Sequence, residues 1–202
     1  MSIKLLSDSK GGAITDEDEQ RIDEILSFWF KEQELSAPQI DRRMDTWFGE
    51  DPIFDHEIEK KFAVDIEQAC NGELDRWAEE PRGRLALIIL IDQFRRNIYR
   101  NTARAFSMDK LALKLCVEGA MEKKDKGLTP IQRVFFYMPL QHAESAKVQA
   151  KSVELFSRLA ESVSPTYQSW TLKASFWLSA YGTTVMGSRG SLSRTRSAGR
   201  FT

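Results

Sequence analysis

The sequence predicts an all-α fold, an antiparallel array of seven or eight helices. Along most of the chain, large apolar residues recur at spacings of three and four, as in the first stripe, which runs through Ile22, Ile25, Leu26 and Trp29. That spacing is the period of an amphipathic helix. No stretch shows sustained alternation of apolar and polar residues with β-branched side chains, so no strand is required. Short polar breaks between the stripes favour helices that pack against their neighbours in sequence.

Helix boundaries are marked by local capping signals. Thr15 precedes four acidic residues, which predicts one helix start, and Asp51 precedes Pro52, which predicts another. Gly49 and Gly72 follow apolar stripes and are expected to end the second and third helices. Later stripes predict a central helix over residues 84–99 and further helices over 106–121, 129–139, 140–164 and 167–181. Pro139 is expected to break one of them and start the next.

Composition indicates one domain within the 202 residues. We expect a flexible segment over residues 1–13, a single all-α domain over 14–181, and a disordered tail rich in Ser, Gly and Arg over 182–202. The net charge of −1 argues against a nucleic-acid partner. The longest purely apolar run, from Leu85 to Ile91, has seven residues, well below the roughly 18 that span a bilayer. A soluble, cytoplasmic protein with no membrane partner is therefore expected.

Metals and cofactors are not expected. Cys70 and Cys116 form no C-x-x-C pair, and the chain has two histidines, too few for most zinc sites. His56 and Glu59 lie one turn apart, but their order is the reverse of the Glu-x-x-His of di-iron bundles. A basic and aromatic cluster over residues 95–104 is a weak nucleic-acid signal in a chain of this charge.

Several short motifs together carry a family resemblance. They are Phe28-Trp29-Phe30, Trp47-Phe48, Phe54-Asp55, Asp92-Gln93-Phe94-Arg95-Arg96-Asn97 and Pro139-Leu140-Gln141-His142-Ala143-Glu144. Over residues 22–162 the chain resembles the family known as domain of unknown function 924. The resemblance implies a tetratricopeptide-like helical fold and a set of candidate positions, but no mechanism.

Two departures from the family pattern stand out. The family has proline where this chain has Arg95, which predicts a more regular central helix here. The family also carries a C-terminal Phe-Gly-Arg-Phe-Pro-His-Arg-Asn element that nothing in residues 181–202 matches. If that element contributes to a site, the site is incomplete in this chain.

The polar end of the central helix is the first candidate site. Asp92 follows Ile88 and Ile89 by one helical turn, so it projects from the apolar side, and Arg96 lies one turn further on. In a functional interpretation Asp92, Gln93, Arg96 and Asn97 form the polar floor of a pocket for a small anionic or amide-bearing ligand. In a structural interpretation the same pair is a clasp between helices.

The second candidate is His142, on the face that continues toward Val153 and Phe156 and therefore inward. A buried imidazole oriented by Glu144 or Asp92 could act as a general base, or it could be a satisfied core histidine. No nucleophile stands out, since Cys116 lies within an apolar helix.

Two functions remain open. The first is a helical-array binding module for a peptide, a protein partner or a small anionic ligand, with candidate contacts from Gln93, Asn97, Glu144 and Trp47. The aromatic residues, Trp47 among them, could instead form the core. The second is an enzyme of unknown class that uses acid-base chemistry on a small polar metabolite, with catalytic candidates Asp92, Arg96 and His142. Convergence of these three side chains in one closed pocket would favour the enzyme, and separate contacts under an open groove would favour the binding module.

Overall fold

The structure is a computed structural model that describes residues 12–31 and 36–163. These residues form seven α-helices and no strand, as the sequence predicts. The helices are α1 (Asp16–Phe30), α2 (Ala37–Phe48), α3 (Pro52–Asn71), α4 (residues 81–98), α5 (Asp109–Met121), α6 (Pro130–His142) and α7 (Ala146–Glu161). The predicted helix over 167–181 and the predicted tail over 182–202 lie outside the described residues.

The predicted caps form as expected. The Asp18 backbone N–H donates to the Thr15 hydroxyl, and the Asp18 carboxylate accepts in return from the Thr15 N–H, which gives α1 a reciprocal cap. Asp51 caps α3 by accepting from the N–H groups of its first turn. Gly72 ends α3 with a φ of 80°, a left-handed conformation that glycine adopts without steric cost.

Helix α4 runs through the centre of the molecule and packs against α1, α3, α5 and α6, while α7 packs on α6. Residues Leu85 to Ile91 are each at most 2% exposed, so this helix is apolar on every side. Beside it lies an aromatic cluster in which Trp47 packs against Trp29, Phe30 and Phe135. Trp47 is 4% exposed, so it belongs to the core and lines no open groove.

The middle of α4 is not regular. It begins as an α-helix over Pro81–Ile88, continues as a π-helix over Ile89–Phe94 and returns to α over Arg95–Ile98. The greater regularity expected from arginine at position 95 does not give an uninterrupted α-helix. All six residues of the π-helical segment are buried, Asp92 among them. π-Helical segments are uncommon and occur frequently at functional sites.

The end of α6 differs from the expectation. Pro139 lies inside α6, which continues to His142, so the prediction that proline breaks this helix is wrong. His142 is therefore the last residue of α6 and does not start the next helix, which begins at Ala146 with Ser145 as its cap. Pro139 has no N–H to donate to the carbonyl four residues earlier, so α6 continues through it without that hydrogen bond. Burial of Leu140 and the bond from His142 to Asp92 secure the last turn.

Several apolar side chains within the predicted helices are exposed, among them Met121 at the end of α5, which is 78% exposed. Phe106 lies in a short 3-10 turn, Ala103–Phe106, ahead of α5 and is 42% exposed. Val153 on α7 is 63% exposed. Helical spacing identifies an apolar stripe, but the width of the buried face depends on how closely the neighbouring helices approach.

Candidate functional site

Asp92 lies at the centre of a buried polar cluster formed by α4, α5 and α6. Its side chain is 0% exposed and accepts three hydrogen bonds. The donors are His142 Nδ1 at 2.8 Å, Arg96 Nη2 at 3.1 Å and Gln93 Nε2 at 2.5 Å. Asp92, Arg96 and His142, the three catalytic candidates of the sequence, thus meet in direct contact.

The charges around Asp92 keep it ionised. Burial by itself opposes ionisation, but the positive charges of His142 and Arg96, together with the hydrogen bonds, outweigh it. They hold the pKa of Asp92 well below its usual range. Asp92 is therefore a fixed negative charge inside the protein, and its neighbours must compensate for it.

Arg96 connects Asp92 to a second carboxylate that the sequence analysis did not single out. The Arg96 Nη2 that reaches Asp92 also donates to Asp109 Oδ1 at 2.8 Å. The Arg96 guanidinium carbon lies 4.9 Å from the centre of the Phe106 ring. Burial raises the pKa of Asp109, and the negative charge of Asp92 acts in the same direction, against the opposing effect of Arg96. Two carboxylates on one arginine thus have pKa values shifted in opposite directions.

His142 links this cluster to the solvent. An ionised carboxylate only accepts hydrogen bonds, so the Nδ1 of His142 carries the proton in its contact with Asp92. In a neutral ring the lone pair is then on Nε2. No described residue makes a hydrogen bond to Nε2, and the His142 side chain is 19% exposed. The imidazole is therefore held at Nδ1, and the side chain is only partly buried.

The charges of the cluster nearly balance. Two carboxylates, Asp92 and Asp109, face one guanidinium and one imidazole, which leaves a formal charge of −1 when His142 is neutral. Arg96 donates to both carboxylates through the same atom, Nη2, and its buried Nε makes no hydrogen bond to a described residue. The excess of carboxylates over cations, when His142 is neutral, disfavours the small anionic ligand that the sequence suggested.

The ligand-binding candidates lie in different places. Gln93 belongs to the cluster, where it also contacts Met138 Sδ at 3.3 Å. Asn97 instead contacts α3, where it donates to Asp55 Oδ1 at 2.7 Å, and the Asp55 carboxylate also forms an ion pair with Arg100. Trp47 is part of the core. Glu144 is exposed in the loop after α6, so Asp92 and not Glu144 orients His142.

Asp109 and Phe106 are the members of the site that sequence reasoning missed. They lie 13 and 10 residues beyond Arg96, outside the range in which helical spacing indicates proximity. Phe106 belongs to an apolar pattern that predicts burial, and Asp109 is an ordinary acidic residue in the first turn of α5. Only the packing of α5 against α4 brings them to Arg96.

Other candidate chemistry is absent from the residues described. Within residues 12–31 and 36–163, no three His, Cys, Asp or Glu side chains are grouped to hold a metal ion. No helix in the same ranges is long and apolar enough to cross a membrane. His56 is 76% exposed and far from a pocket-like environment. Burial strongly raises the pKa of Cys116, which leaves its thiol protonated and a poor nucleophile.

Comparison with known proteins gives a family but no activity. The model of a family described as bacterial protein of unknown function, domain of unknown function 924, matches residues 25–184. A solved structure of a protein of unknown function from Agrobacterium tumefaciens is 29% identical, with a TM-score of 0.63, and the match covers 81% of this chain and 85% of that one. A search of curated proteins finds no match. Because the family match spans well over half of its length, the chain belongs to this family of bacterial proteins of unknown function.

Proposed function

We propose that the protein is an enzyme that transfers a proton to and from a small polar molecule, with His142 as the general base and acid. The observation that carries the proposal is the bond from His142 Nδ1 to the fully buried carboxylate of Asp92. A carboxylate in this position fixes the tautomer and the orientation of the ring, so that Nε2 presents its lone pair.

The proposed step is a proton transfer at Nε2. A bound molecule, or a water beside it, gives a proton to Nε2 and leaves an imidazolium. Asp92 lies 2.8 Å away on the other side of the ring and stabilises that positive charge. The imidazolium then returns the proton to the product. General acid-base catalysis of this kind contributes about 10²- to 10⁴-fold in rate.

Arg96 and Gln93 act as positioning residues in this mechanism. Both donate to Asp92, one to each carboxylate oxygen, and so hold the carboxylate in the plane that His142 requires. Neither is needed for contact with the reacting atoms. The π-helical segment supports this arrangement, because it carries Asp92 and Gln93 together on the buried side of α4.

The test is turnover of small molecules by the full chain. Purified protein is incubated with a bacterial small-molecule extract, and mass spectrometry follows which compounds are consumed. We expect at least one compound to be consumed by the wild type, and its consumption to slow about 100-fold or more in His142→Asn. His56→Asn is the matched control, since it removes the chain's other histidine, which is exposed, and should consume the compound at the wild-type rate.

Two outcomes would contradict the proposal. Equal consumption by His142→Asn would show that the imidazole has no part in the reaction. If the wild type consumes nothing but its thermal midpoint rises with a compound from the same extract, the protein is a binding module and not an enzyme.

A further inference from the structure

We infer that the molecule bound at this site is an amine with an apolar group, its nitrogen held by Asp109 and its apolar part against Phe106. The inference rests on the proposed function, because it assigns a substrate class to the same site. It is carried by three features of the rim of the cluster: an incompletely bonded carboxylate, the sign of the local charge and an exposed aromatic ring.

Asp109 offers hydrogen-bonding capacity that the protein does not use. Its Oδ1 accepts from Arg96, but no described residue donates to its Oδ2. The side chain is 27% exposed, whereas Asp92 is 0% exposed. A partly exposed carboxylate oxygen can accept only from a donor, which selects N–H or O–H groups in a ligand and excludes a ligand carboxylate.

The formal charge favours a cation over an anion or a neutral donor. With His142 neutral the cluster carries −1, so an ammonium group brings the local charge to zero. An anion would bring it to −2, beside an arginine already shared by two carboxylates. Burial raises the pKa of Asp109, because it disfavours the ionised carboxylate. A bound cation would supply the missing stabilisation.

Phe106 supplies the apolar contact. Arg96 covers one part of the ring at 4.9 Å, yet the residue remains 42% exposed. A ligand that packs on the exposed part of this ring removes apolar surface from water, which favours binding. The face of an aromatic ring also attracts a cation directly. An amine with an apolar substituent satisfies Asp109 and Phe106 together.

The position of His142 gives this amine a chemical role. Asp92 Oδ1 accepts from both His142 Nδ1 and Arg96 Nη2, and the same Nη2 donates to Asp109 Oδ1, so only these two shared atoms separate Asp109 from the imidazole. A bound ammonium can transfer an N–H proton to His142 Nε2, which produces a neutral amine and an imidazolium balanced by Asp92. The amine lone pair is then free to react.

Isothermal titration of the full chain with three probes tests the substrate class. The probes are benzylamine, benzyl alcohol and benzoate, which share a ring and differ in charge. We expect benzylamine to bind at least tenfold more tightly than benzyl alcohol, and benzoate to give no measurable binding. Benzoate affinity equal to that of benzylamine would overturn the inference.

Variants locate the binding. Asp109→Asn keeps the shape of the side chain and should weaken benzylamine binding at least tenfold, and Phe106→Ala should weaken it several-fold. Asp41→Asn, an exposed aspartate on α2, is the matched control and should bind benzylamine as the wild type does. Each variant is first checked for an unchanged thermal midpoint; if Asp109→Asn does not fold, Asp109→Ala, which also removes the carboxylate, replaces it with the same expected loss. Wild-type affinity in a folded Asp109 variant would overturn the inference.

The two proposals fail in different ways. If benzylamine binding depends on Asp109 but His142→Asn still consumes the extract compound, the substrate class stands and the catalytic role of His142 falls. If consumption depends on His142 but benzylamine does not bind, the reverse holds. NMR signals of the two imidazole rings distinguish the site, since benzylamine should shift His142 and leave His56 unchanged.

Discussion

Two buried carboxylates in this protein have similar surroundings and different consequences. Asp18 in the first turn of α1 and Asp92 in α4 are 4% and 0% exposed. Each pairs with an arginine, and each has a pKa lowered by its partners against the opposing effect of burial: chiefly the hydrogen bond from Arg76 at Asp18, and the charges of His142 and Arg96 at Asp92. By burial and charge alone the two sites cannot be told apart.

The two sites differ in whether a donor to the carboxylate has a second nitrogen without a partner among the described residues. Asp18 accepts five hydrogen bonds, from the N–H and hydroxyl of Thr15, two nitrogens of Arg76 and the indole of Trp77. None of these groups gains or loses a proton near neutral pH. At Asp92 one donor is an imidazole whose second nitrogen faces no described partner, and the arginine is shared with Asp109.

The comparison indicates how a structural ion pair differs from a functional one. At Asp18, in a regular helix with a reciprocal cap, the partly exposed partner is Arg76, a guanidinium that keeps its proton at neutral pH. At Asp92 the network continues from a π-helical segment through His142 and Asp109 to partly exposed atoms. A network that reaches solvent through an imidazole or a carboxylate can exchange protons, and one that reaches it through a guanidinium cannot.

The largest expected effect is that of Asp92→Ala. The free energy of unfolding should fall by about 3 kcal/mol, because the change leaves the charges of Arg96 and His142 partly uncompensated. Urea unfolding followed by circular dichroism measures it. Asp92→Asn, which keeps the size and one acceptor, should cost less. A midpoint equal to that of the wild type would mean that the cluster contributes nothing to folding.

In Asp18→Ala the free energy of unfolding should fall by less, about 2 kcal/mol. The substitution removes the cap of α1 and leaves the Trp77 indole N–H unpaired, but Arg76 is 31% exposed and can be hydrated. Compound consumption at saturating substrate should be unchanged in this variant, in contrast to Asp92→Ala. If Asp18→Ala slows consumption as much as Asp92→Ala does, the distinction between the two clusters is wrong.

The smallest effect is in the pH dependence of stability. A carboxylate with a lowered pKa adds stability above its unfolded pKa of about 4 and loses it as the pH falls toward the folded value, so Asp18 and Asp92 both weaken the fold below about pH 4. Asp109 has a raised pKa, so it takes up its proton first in the folded state and adds stability as the pH falls toward 4.

Asparagine variants separate these contributions. In Asp18→Asn the free energy of unfolding should fall less steeply below about pH 4 than it does in the wild type. In Asp109→Asn the rise in the free energy of unfolding that accompanies acidification toward pH 4 should disappear. Urea midpoints between pH 3 and 7 measure both. Parallel curves for the wild type and Asp109→Asn would show that Asp109 is solvated like an ordinary surface carboxylate.

The sequence by itself determined the local features of this protein. Thr15, Asp51 and Gly72 predicted helix boundaries because a cap satisfies backbone groups within three or four residues of itself. Spacing also predicted that Asp92 projects from the apolar side of its helix, and Asp92 is 0% exposed. These inferences succeed because each depends on a single helix and its caps. The argument that placed His142 inward does not succeed, because His142 ends α6 and is not on the helix that carries Val153 and Phe156.

Only the tertiary structure decided which residues complete the site. The π-helical segment of α4, the passage of α6 through Pro139 and the approach of Asp109 and Phe106 to Arg96 have no signal in a local window. Each is a compromise in which packing among α4, α5 and α6 outweighs a local preference. The helix propensity of one residue changes the free energy by a few tenths of a kcal/mol to about 3 kcal/mol, which is small beside the free energy gained when a whole helix is buried. Contacts between distant segments therefore decide these three features, and local sequence does not.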